Sequence, residues 1–112
     1  MIKVFISQPM NAKSEEEIKA VRQEAIDTIE AAYPTEEIQI IDNYFEDYSP
    51  EIEYDDSETF HVPVKYLAKS IELLTFANLA YFCEGWEYAR GCKIEHEVCT
   101  AYGITVMEKE VA

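Results

Sequence analysis

Four short runs of aliphatic, β-branched and aromatic residues alternate with three amphipathic helical segments along 112 residues, and this alternation is what most restricts the fold. "KVFIS" (Lys3 to Ser7), "IQIID" (Ile38 to Asp42), "NLAYFCE" (Asn78 to Glu84) and "ITVME" (Ile104 to Glu108) read as strands. Ser14 and Glu17 form a capping box ahead of a helical face through Ile18, Val21, Ala25, Ile29 and Ala32, with Pro34 just past its end. Pro63 sits near the start of a second helix that repeats Val64, Leu67, Ile71 and Leu74 at helical spacing. Gly91 opens a third helix. Strands that are apolar on both faces and separated by helices predict a parallel sheet covered on both sides. The expected fold is a single α/β domain over 1–112, a small flavodoxin-like or Rossmann-like three-layer sandwich. Its four-stranded parallel sheet takes the order 2-1-3-4.

Charge narrows the partners. The 23 acids against 9 bases leave a net charge of −14, which repels nucleic-acid backbones and anionic membranes, so neither is an expected partner. Many acids lie in "EDYSPEIEYDDSET" (Glu46 to Thr59), which reads as a solvated loop without the oxygen-ligand spacing of a metal site. No run of about 18 apolar residues occurs, and "MIKVFISQPM" is too short and polar for a signal peptide. Three cysteines, an odd number, fit free thiols in a reducing compartment, so a cytoplasmic protein is expected.

In an open parallel sheet, ligands bind beyond the carboxyl ends of the strands where the winding direction reverses, here between the first and third strands. The loop Ser7, Gln8, Pro9, Met10 and Asn11 meets the loop Glu84 to Gly91 there, with Asp42 ending the neighbouring strand. Neither loop carries a G-x-G-x-x-G or Walker pattern, so no dinucleotide cofactor or nucleoside triphosphate is indicated. Arg90 and Gly91 precede a helix N-terminus, a favourable place for a phosphate or carboxylate in so acidic a chain. Trp86, after Gly85, either stacks on a ligand ring or covers the core edge; Phe5 and Tyr44 are the other candidates for stacking.

One residue of the third helix is out of pattern. On a wheel, Ile94, Val98, Ala101, Tyr102, Cys99 and Cys92 form one apolar arc, and Glu95 falls near its middle. Two readings stand: an acid favoured by the first turn of a helix, or a carboxylate held against apolar groups beside the ligand crevice, fit to act as nucleophile or base. Cys92, His96 and Cys99 share that side, but three ligands from one helix rarely close a tetrahedron, and no metal is expected.

"ISQPMN", "IELLTFANLAYF" and "GWEYARGCKIEHEVCTAYGITV" resemble the nucleoside 2-deoxyribosyltransferase-like family, in particular its short, often phage-encoded branch, over almost the whole chain. The family pattern of a small residue, a glutamate four positions on, then alanine and glycine before the last strand falls on Gly91, Glu95, Ala101 and Gly103. The resemblance implies that Glu95 attacks the anomeric carbon of a nucleoside or its 5′-monophosphate, displacing the base, with transfer or hydrolysis completing the reaction. It also implies that Asn78 stands where relatives carry an aspartate that protonates the base, and Ala89 where they carry a polar contact. An asparagine passes no proton. No cofactor is implied, and a homo-oligomer is expected. The competing reading is a nucleotide-binding protein on the same fold that performs no chemistry.

Overall fold

The alternation folds in the expected order: β1 (Ile2–Ser7), α1 (Glu15–Ala32), β2 (Ile38–Ile40), α2 (Val62–Leu74), β3 (Leu79–Phe82), a 3₁₀ turn (Trp86–Tyr88), α3 (Arg90–Tyr102) and β4 (Thr105–Glu108). The computed structural model describes residues 1–43 and 61–109; Tyr44 and the acidic stretch 46–59 lie outside them. All four strands are parallel in the order β2-β1-β3-β4. The chain is an α/β domain with α1 on one face of the sheet and α2 and α3 on the other.

The period of two in a strand divides the core. Val4 and Ile6 of β1, with Leu79, Tyr81 and Cys83 on and just after β3, pack against Ala25 and Ile29 of α1. Phe5, Ala80 and Phe82 point the other way and pack against Leu74 of α2 and Cys99 of α3. Ser7 lies two residues beyond Phe5 and therefore belongs to the α2/α3 face, at the carboxyl edge of β1. Burying side chains such as Phe5 and Ile29 contributes about 1.5–3 kcal/mol each.

The helix ends follow local chemistry. Ser14 Oγ accepts from Glu17 N–H and the Glu17 carboxylate accepts from Ser14 N–H, so the capping box is formed. Helix α3 stops at Gly103, whose φ of 77° is the left-handed conformation that glycine adopts without a Cβ penalty. Some apolar positions face solvent instead of the core: Val64, Ile94 and Tyr102 are exposed, as are Ala32 and Ala101. The buried face of α3 is Cys92, Glu95 and Cys99, so the arc is centred away from Ile94 and Tyr102. Among the described residues, α2, the sheet and the 3₁₀ turn at Trp86 pack against α3, and they cover one narrow stripe.

Strand β2 is shorter than the run "IQIID". Ile41 N–H still donates to Val4 O at 2.8 Å, but Arg22 then takes over. Its guanidinium donates to Ile41 O at 3.1 Å and to Asn43 Oδ1 at 2.9 Å, while Asn43 Nδ2 donates to Ile6 O at 2.6 Å. Side chains thus replace the ladder where the chain leaves the sheet. Arg22→Ala leaves Asn43 Oδ1 and Ile41 O without this donor. It should lower unfolding free energy by about 2 kcal/mol in urea titrations, the loss typical of hydrogen bonds to a charged group. A change below about 0.5 kcal/mol would show that Arg22 does not clasp this edge.

Candidate functional site

β1 and β3 are neighbours, yet the chain leaves β1 toward α1 on one face and β3 toward α3 on the other. Their loops part at this point and leave a crevice, as the topology of such sheets demands. It is a cleft of about 820 Å³, within the roughly 300–1,000 Å³ of small-molecule sites. One wall is the loop from Gln8 to Lys13, and another is the run Glu84, Gly85, Tyr88 and Ala89. Helix α2 contributes Pro63, Tyr66, Leu67 and Ser70, one stripe at helical spacing, and α3 contributes Arg90, Gly91, Cys92 and Glu95. Gly85 has φ 87°, so the tight turn after β3 favours glycine, and a Cβ there would sit 3.6 Å from Pro9.

Glu95 is 7% exposed. Ser7 Oγ donates to Glu95 Oε1 at 2.7 Å, and the hydroxyl of Ser70, on the cleft wall, also favours the charged carboxylate. Burial penalises the charged form and pushes the carboxyl up to about 7, while the two hydroxyls pull the other way. Glu95 therefore changes charge near neutrality. The Cys92 thiol beside it is pushed up to about 11, by burial first, so no thiolate nucleophile is on offer there.

The start of α3 is open toward the cleft. Ala89 is its N-cap and supplies no side-chain acceptor, and the first turn carries no acid. Its first backbone N–H groups are left for solvent or a ligand. Lys13 and Arg90 line the same cleft, and neither has an ion-pair partner among the described residues. The arrangement offers donors and positive charge at one end and a buried carboxylate one helical turn further in.

Of the residues expected at the site, Gln8, Pro9, Met10, Asn11, Gly85, Arg90, Gly91 and Glu95 line the cleft. Ser7 is fully buried, and its hydroxyl proton is committed to Glu95 instead of facing a ligand. Asn78 is far away. Its Oδ1 accepts from Lys3 N–H at 2.8 Å and its own N–H donates to Lys3 O at 2.8 Å. It closes the β1–β3 ladder at the opposite, amino end of the sheet, about four strand residues or 13 Å from Phe82, so it has no catalytic position. Trp86 stacks on His96 with centroids 4.0 Å apart and packs against Phe82, covering the core. Phe5 is fully buried. Asp42 does not line the cleft; its neighbour Asn43 does.

The sequence places the loop Glu84 to Gly91 at the crevice but singles out neither Glu84 nor Tyr88, and it gives no site role to Tyr66, Ser70 or Lys13. Glu84 and Gly85 follow β3 directly, a signal that was available. Tyr66 and Ser70 became site residues only through the packing of α2. Among the described residues no cluster of His, Cys, Asp and Glu is arranged to hold a metal ion, and no helix is long and apolar enough to cross a membrane. Compared with models of protein families, with curated proteins and with solved structures, the chain matches none.

Two outcomes follow for the residues named here. In the fold Glu95 takes up its proton near 7, above its ordinary 4.5. The folded state is thus favoured most below pH 4.5 and loses stability as pH rises toward 7, with a constant deficit above. At about 1.4 kcal/mol per pH unit the deficit is roughly 3 kcal/mol. Glu95→Gln should therefore stabilise the protein at pH 8 and lose that advantage by pH 4, measured as the difference between parent and variant in urea unfolding. A pH-independent difference would contradict the buried carboxylate. Asn78→Ala should cost about 1–2 kcal/mol through the unpaired Lys3 N–H and leave ligand binding unchanged in calorimetric titrations. Loss of binding by a folded variant would return Asn78 to the site.

Proposed function

We propose that the cleft binds a nucleoside or its 5′-monophosphate and that Glu95 breaks the N-glycosidic bond. The observation that carries this reading is the Glu95 carboxylate, 7% exposed yet on the wall of the cleft. Apolar surroundings sharpen the charge of an ionised carboxylate, and the anomeric carbon of a departing nucleoside is the kind of electrophile it stabilises. In the step proposed, a Glu95 oxygen bonds to the anomeric carbon as the bond to the base nitrogen breaks and the base leaves with the electron pair. Water or a second base then displaces Glu95 from the sugar.

The leaving base needs a proton. Among the described residues Glu84 is the other carboxylate lining the cleft, and it takes the role that Asn78, at the wrong end of the sheet, cannot fill. Tyr66 and Tyr88 supply aromatic surface on the walls in place of Trp86 and Phe5. A 5′-phosphate suits the open start of α3 with Arg90 and Lys13.

Base release from a panel of nucleosides and their 5′-monophosphates, followed by chromatography, tests the reading. Glu95→Gln should reduce release to background while affinity survives, and Glu84→Gln should slow release mainly for bases that leave poorly without a proton. The rate in the parent should rise with pH through about 7 as Glu95 ionises. A rate falling through the same range would make Glu95 the acid and not the nucleophile. Arg90→Ala should weaken monophosphate binding about ten- to a hundredfold, with nucleosides unaffected. Tight binding with no release from any compound would leave a nucleotide-binding protein in place of an enzyme.

A further inference from the structure

Three elements converge on one carboxylate. Ser7 approaches Glu95 from the end of β1, Ser70 from the cleft face of α2, and Glu95 itself projects from α3. From this geometry we infer that Ser7 and Ser70 are positioning residues: a two-hydroxyl clamp that fixes the rotamer of Glu95 and holds its carboxylate as the anion facing the cleft. The catalytic meaning of the clamp rests on the function proposed above; the clamp itself does not.

A serine hydroxyl has one proton to donate. That of Ser7 is given to Glu95 Oε1 at 2.7 Å, and Ser7 is 1% exposed, so it is withdrawn from any ligand. Strand β1 is central and fully buried at this point, which gives the donor a rigid base. Ser70 comes from the other side of the cleft, so the carboxylate also lies between α2 and α3. The titratable and charged groups around Glu95 are Cys92 and Cys99 on its own helix, Tyr66 on α2, and Lys13, Glu84 and Arg90 around the cleft. Of the groups that touch the carboxylate, the two hydroxyls oppose the cost of burial. Removing either should leave Glu95 in place but protonated over a wider pH range.

The test is a titration of Glu95 by ¹³C NMR of protein labelled at the glutamate side-chain carboxyl, its resonance assigned by its absence in Glu95→Gln. In Ser7→Ala and Ser70→Ala the midpoint should rise by about one pH unit, the shift expected for one lost charge-stabilising hydrogen bond. Ser70→Thr, which keeps a hydroxyl, should return to the parent value. Where base release is measurable, each alanine variant should lose about fivefold in kcat at pH 7, regain it near pH 9, and keep its KM. Circular dichroism confirms folding; should Ser7→Ala not fold, Ser70→Ala and Ser70→Thr carry the test. Unchanged midpoints in folded alanine variants overturn the inference. So does a raised KM with an unmoved midpoint, which would make the serines substrate contacts. A shifted midpoint in a protein that releases no base supports the clamp and defeats the enzymatic reading.

Discussion

The parallel pairing of β1 with β3 is the constraint on which the rest of this structure depends. It is closed at the amino edge by Asn78, which exchanges hydrogen bonds with Lys3, and at the carboxyl edge by Cys83 N–H donating to Ser7 O at 2.9 Å. Between these points the register Val4↔Leu79 to Ser7↔Phe82 sets which side chains face which helix layer. A slip of one residue would turn Phe5 and Ser7 toward α1 and destroy both halves of the core. The same pairing brings together two loops that run to opposite faces, and the cleft is the space left between them. The fold and the site are consequences of one ladder.

Within that frame Glu95 is a deliberate imbalance. An isolated buried carboxylate is costly, and well-packed proteins avoid one unless it is paired or hydrogen-bonded. Here two hydroxyls offset part of the cost and, among the described residues, no cation forms an ion pair with Glu95, so the group stays poised near neutrality. The surrounding cysteines are buried and hold their protons. Such a site gives up stability in exchange for a side chain whose charge responds to its surroundings, a pattern that recurs where chemistry is performed. The supports are unequal in rigidity. Ser7 and Glu95 sit on buried regular elements, whereas Arg90, Lys13 and Tyr88 are exposed around the opening. A ligand would meet an adaptable rim and a fixed floor.

The sequence by itself determined the layer architecture, the strand order and the crevice position, because these rest on local signals. The capping box at Ser14, the apolar strands between helical repeats and the right-handed crossover rule each act within a few residues or through topology alone. It also exposed Glu95, since a charge among apolar positions is visible on a wheel. Tertiary packing decided what a wheel or a motif cannot express. Asn78 and Trp86 carry chemistry suited to a site, but the ladder with Lys3 and the stack on His96 claim them for the core and its edge. Ser7 was placed in the right region with the wrong partner, because only the approach of α3 to β1 shows that its proton goes to a carboxylate. Tyr66 and Ser70 entered the site through the way α2 settles against the sheet. Such contacts join residues dozens of positions apart, and no local preference in the sequence encodes them; they exist only once burial has fixed the layers against each other.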